Sequence, residues 1–130
     1  MKTGMNLLLW TTEVTAEHDR LLDELKGLGF DAVEVPVFEF DDLSRYERLG
    51  KRLKSLGLGA TAVTIMTPEA NPVSPEAATR KAAFARLGRV LDCCAAFDCE
   101  ILCGPIHSAI SLHRRRPARE ETANPSSARS

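Results

Sequence analysis

The residues that could carry chemistry gather in two places. Glu34 stands among apolar neighbours in Ala32-Val33-Glu34-Val35, and Cys93, Cys94, Cys99 and Cys103 crowd together just ahead of His107. A carboxylate on a buried strand must find a donor, whether a ligand hydroxyl, a backbone amide or a basic side chain. Cysteines beside a histidine could hold a metal as thiolates, but adjacent Cys93 and Cys94 do not have the CxxC spacing of a zinc knuckle. The simpler reading is small, buried, reduced residues of a cytosolic protein, because free cysteine is among the residue types most often found in cores. No strand is followed by GxGxxG or GxxxxGK[ST], which argues against an open sheet that binds a phosphorylated ligand.

The elements that must position these groups alternate between strand and helix. An apolar run over 5–10 reads as a strand covered on both faces. Thr15 is a good N-cap for a helix that sets Leu21, Leu22, Leu25 and Leu28 on one stripe and stops at Gly29. A second strand over 32–37 follows. Asp41 or Asp42 then caps a helix carrying Leu43, Tyr46, Leu49, Leu53 and Leu56, ended by Gly57. The third strand spans 59–65, and a Pro- and Asn-rich loop over 66–73 leads to Ser74 and Pro75, an N-cap with proline at the first helical position. The third helix runs to about Phe97, with Ala77, Phe84, Leu87, Leu91 and Cys94 predicted to face inward, and a fourth strand over 100–104 comes straight after. Leu28-Gly29-Phe30 and Leu56-Gly57-Leu58 each precede a strand, a faint repeat of one βα step. Such steps build either a (β/α)8 barrel or an open doubly wound sheet.

Composition sets outer limits. At 130 residues, with 44% hydrophobic residues, the chain suits one domain. Lys and Arg (17) nearly cancel Asp and Glu (18), so no overall field draws it to nucleic acid or anionic lipid. The apolar run near the N-terminus is too short for a signal peptide or a membrane span, and a cytoplasmic protein is expected. After Leu112 the sequence holds no Leu, Ile, Val, Phe, Met or Trp. The domain is therefore expected to occupy 1–112, with 113–130 a solvated, disordered tail.

Several fragments, in order, resemble the ketose 3-epimerases of the D-tagatose and D-psicose type, within the xylose-isomerase-like barrels of sugar isomerases and epimerases. They are Lys2-Thr3-Gly4-Met5-Asn6 through Trp10 with Thr12-Glu13, Leu28-Gly29-Phe30-Asp31 with Val33-Glu34, Ser74-Pro75-Glu76, and Cys103-Gly104-Pro105-Ile106-His107-Ser108. The resemblance covers about 1–110. It implies the N-terminal half, about four βα units with parallel strands, of a (β/α)8 TIM barrel whose active site lies at the C-terminal ends of the strands.

The resemblance further implies that a divalent cation, Mn, Co or Mg, is held in the full-length family by Glu, Asp, His and Glu side chains of later strands. Two of those glutamates act as acid and base at the epimerised carbon. None of the four has a counterpart here, so no catalytic residue and no cofactor is assigned to this chain. A pocket wall can be carried over: Asn6 and Trp10 on the first strand, Glu34 at the end of the second, and Gly104, His107 and Ser108 after the fourth. Each has a plainer reading, with Trp10 as core packing and Asn6 as the partner of a backbone group. Leu7-Leu8-Leu9 stands where the epimerases usually carry aromatic residues, and Ala109-Ile110 replaces a segment that often carries Trp, so the ketose is left open. Likeness is expected to end at about Ile110, as a shifted reading frame or truncated gene would produce. Such a half barrel would act through a homo-oligomer or a complementary C-terminal half.

Overall fold

The computed structural model describes residues 1–110, and the expectations for 113–130 and for a boundary at 112 lie outside them. The chain runs β1 (Gly4–Asn6), α1 (Asp19–Gly27), β2 (Ala32–Pro36), α2 (Leu43–Leu56), β3 (Gly59–Val63), α3 (Ala77–Ala96) and β4 (Leu102–Cys103). The strands form one sheet in the order β1-β2-β3-β4, every pair parallel. Consecutive strands that pair side by side in parallel need a crossover between them, and each helix supplies one.

Alternation along the strands fixes the layers. Val33, Val35 and Val37 are buried in one cluster with Leu22 and Leu25 of α1, Leu49 and Leu53 of α2, and Val90, Cys93 and Cys94 of α3. All three helices therefore cover one face, and side chains of the opposite parity, among them Glu34 and Thr61, point to the other, the face that a closed barrel would turn inward. The α1–α2 seam is laced by Arg48 with Asp19 (3.3 Å) and Arg52 with Asp23 (2.5 Å). Gly50 lets α3 approach α2 closely, since a Cβ there would stand 2.8 Å from the Phe97 Cα.

Local signals mostly hold. Thr15 caps a 3-10 turn (Ala16–His18) that precedes α1, and its backbone N–H donates to His18 Nδ1 at 3.0 Å. Asp42 caps α2, and Gly29 and Gly57 both take positive φ. Four expectations need correction. The first strand ends at Asn6, because Leu7–Leu9 turn into a 3-10 helix whose first free N–H the Asn6 side chain accepts. The third and fourth strands are shorter than predicted. Helix α3 starts two residues late: Ser74 Oγ accepts from the Glu76 N–H at 3.2 Å, while Glu76 is the cap residue. Its inward face is rotated, for Ala83, Val90, Cys93 and Cys94 are buried while Ala77, Phe84 and Leu91 are exposed, as Leu28 is on α1. Apolar residues surround α3, so spacing alone could not say which stripe meets the sheet.

Candidate functional site

The first strand's last residue starts the site. Asn6 pairs in register with Glu34, and Glu34 with Thr61, so three polar side chains stand in one row across β1, β2 and β3. Neighbours in such a row are about 4.8 Å apart, close enough for one small polyol to touch all three. The row borders a concavity of about 310 Å3 that also includes Lys2, Thr3 and Gly4. Glu34 sits at the middle of β2 rather than its end, half-buried, with no hydrogen-bond partner among the described residues. Asn6 spends its carbonyl oxygen on the Leu8 N–H (2.9 Å), which satisfies the plainer reading while its amide nitrogen remains able to donate. Thr61 went unnoticed in the sequence. Alternation within Gly59–Val63 was the signal that could have found it.

Trp10 contradicts the packing reading. It lies 49% exposed just beyond the 3-10 turn, next to exposed Leu9. The turn lifts the side chain out of the sheet, which a continuing strand would have kept between layers.

The loops at the C-terminal ends of the strands are tied together by buried polar groups. Thr64, fully buried, donates to the Val37 carbonyl at 2.7 Å and joins the exits of β3 and β2. Asn71 Oδ1 accepts from the Val73 and Ala109 N–H groups, both at 3.2 Å, and the Ile110 N–H donates to the Met66 carbonyl. These bonds hold the segment carrying His107 and Ser108 against the loop after β3. His107 is exposed and Ser108 half-buried, and no hydrogen bond joins either to Glu34. Gly104 serves the backbone, with φ +127 and a Cβ position 2.1 Å from the Thr64 oxygen. After β2, Arg45 pairs with Glu13 and donates to the Glu39 carbonyl (3.2 Å), which Tyr46 also contacts. Burial pushes the Tyr46 phenol up, although Arg45 opposes it.

A larger concavity, about 540 Å3, lies between α2 and the end of α3, beside Lys51, Lys54, Leu58 and Phe97. It opens near the start of β3, at the opposite end of the sheet from the loops just described. Active sites of parallel α/β barrels sit at the C-terminal ends of the strands, which favours the loops leaving β2, β3 and β4, with the polar row midway along the uncovered face below them.

The residues present do not fit a divalent cation. Among the described residues no three His, Cys, Asp or Glu side chains cluster as metal ligands. Glu34 and His107 alone fall short of the six or so oxygen ligands a hard cation takes. The thiolate alternative also fails on chemistry. Cys93, Cys94 and Cys99 are buried free thiols, and burial, with Cys99 beside it, pushes Cys94 up to about 12. Cys103 departs from the expected burial and is exposed.

Comparison with known proteins places this geometry. The family described as xylose isomerase-like TIM barrel matches residues 22–127, and the chain belongs to it. Among curated relatives, D-psicose 3-epimerase of Agrobacterium fabrum is 30% identical over 119 residues, which cover 90% of this chain and 41% of the relative. Among solved structures, D-psicose 3-epimerase in the presence of D-fructose superposes with a TM-score of 0.77 at 27% identity, over 90% of this chain and 41% of that one. L-ribulose 3-epimerase gives 0.78 at 21% identity, over 92% and 40%, and supports the fold. The chain thus spans about two fifths of the length of these relatives. The family match passes Ile110, so likeness does not stop where the sequence analysis placed its end. Among the described residues no helix is long and apolar enough to cross a membrane.

Proposed function

We propose that this chain supplies the first four strands of a sugar epimerase barrel and, with them, one wall of a ketose pocket. The row Asn6–Glu34–Thr61 on the uncovered face of the sheet carries this reading. Glu34 accepts from sugar hydroxyls, the Asn6 amide donates, and the exposed Trp10 ring stacks on the apolar face of the sugar. His107 and Ser108 complete the rim, and Gly104 shapes the turn that presents them. No acid, base or cation ligand is assigned to these residues, so turnover requires the remaining strands of a closed barrel. In the full-length family reading, those strands bring Mn, Co or Mg. Free thiols throughout suit the cytoplasm.

Co-expression with the C-terminal half of the Agrobacterium fabrum D-psicose 3-epimerase tests this. Metal-dependent interconversion of a ketose and its C3 epimer is expected, and Glu34→Gln should lower it about tenfold to a thousandfold, the range for losing a positioning or charge-stabilising contact. A soluble, metal-loaded assembly silent on every ketose would sink the assignment. A second reading, an assembly module without catalysis, draws on β1 and β4, each of which pairs with a single strand among the described residues. A purified complex of the two halves that binds no sugar would favour it.

A further inference from the structure

The ladder between β3 and β4 breaks off and resumes. Val63 pairs with Cys103, and the next bridge joins Met66 to Ala109, again in parallel. Two residues, Thr64 and Ile65, lie between these points on one side, and five, 104–108, lie between them on the other. The longer side must leave the sheet, and this excursion carries His107 and Ser108.

Both feet of the excursion are fixed. At the first, the Thr64 N–H donates to the Cys103 carbonyl at 3.1 Å, and Gly104 turns the chain with φ +127. At the second, the Ala109 N–H donates to Asn71 Oδ1 at 3.2 Å, and the Ile110 N–H donates to the Met66 carbonyl at 3.1 Å. Between the feet, Ile106 packs on the cluster of Met66, Ala70 and Ala83. That leaves His107 and Ser108, whose N–H groups have no partner among the described residues. Their side chains and main-chain donors are together available to a ligand.

Asn71 holds the second foot from outside the ladder. It is 6% exposed, and its Oδ1 also accepts from the Val73 N–H at 3.2 Å, two residues on. This local bond, with Pro72 restricting the Asn71 backbone, aims the side-chain carbonyl independently of Ala109. Ala109 is itself buried, so its N–H must meet that oxygen or go unpaired.

We propose that Asn71 is a positioning residue of the sugar pocket: through Ala109 it sets where His107 and Ser108 meet the ketose. The role in sugar binding rests on the proposed function, whereas the latch rests on the bonds just described.

The test uses the complex of this chain with the C-terminal half of the Agrobacterium fabrum D-psicose 3-epimerase, with D-psicose as substrate. Asn71→Leu removes the acceptor at similar size, and KM should rise about tenfold, the worth of one such hydrogen bond, with kcat within about twofold. Asn71→Asp keeps an oxygen for both N–H groups and should hold KM within about threefold of the unaltered complex. With His107→Ala and Ser108→Ala already in place, Asn71→Leu should add almost nothing, because Asn71 acts through those two residues. Amide exchange in the chain alone reads the latch without turnover: Asn71→Leu should speed exchange at Ala109 and leave Val35 unchanged. Should Asn71→Leu fail to fold, Asn71→Ser, whose oxygen lies one bond nearer the backbone, takes its place. An unaltered complex without activity on any ketose would overturn the proposed function, and this role with it. With an active complex, four results would overturn this role alone: a KM indifferent to Asn71→Leu, an Asp variant as impaired as the Leu variant, equal losses with and without His107 and Ser108, or unchanged exchange at Ala109.

Discussion

A Cβ built on Gly104 would stand 2.1 Å from the Thr64 carbonyl oxygen, at a backbone φ of +127. The turn leaving β4 is therefore closed to side chains by contact and by conformation together. Gly104→Ala should destabilise the fold by about 2–4 kcal/mol, combining backbone strain with displacement of the β3 exit. Urea unfolding followed by circular dichroism checks it, and a midpoint within error of the unaltered chain would show that the turn relaxes freely.

Thr64 itself is the buried tie between β3 and β2. Thr64→Val keeps the shape but leaves the Val37 carbonyl without its donor, a loss of about 1–3 kcal/mol. Thr64→Ser should recover most of this. Equal losses in the two variants would point to the methyl group instead of the hydroxyl.

The α1–α2 ion pairs look numerous, yet they are one-third or more exposed. Asp23→Asn should cost no more than ~1 kcal/mol, and the difference should shrink in about 1 M NaCl. Arg52→Ala should cost more, because it also removes the apolar stem of a side chain that is only 34% exposed. The comparison is made by thermal melts at low and high salt.

Burial holds Cys94 protonated up to about 12, against 9 for the ordinary thiol. The sign follows from linkage: a group raised in the folded state stabilises below its unfolded value, and that contribution is lost as pH climbs from about 9 to about 12. Cys94→Ala should therefore flatten the alkaline fall in melting temperature across this window. At pH 8 the exposed Cys103 should react with a thiol reagent well before the buried three.

How much was legible beforehand depended on range. Caps and stops were readable because they are local: Thr15, Asp42, Gly29 and Gly57 act on the backbone within a turn of themselves. The order of strand and helix, and the oddity of a carboxylate in Ala32-Val33-Glu34-Val35, were likewise written in the sequence. What lies across strands was not. Thr61 joins Asn6 and Glu34 only through register, which depends on how three parallel strands align. Trp10 left the core because Asn6 caps the turn after it, and Phe84 and Leu91 left it because α3 is apolar around most of its circumference. Composition and periodicity say that a residue wants burial. Only the packed sheet, with three helices competing for one face of it, decides which residues obtain it.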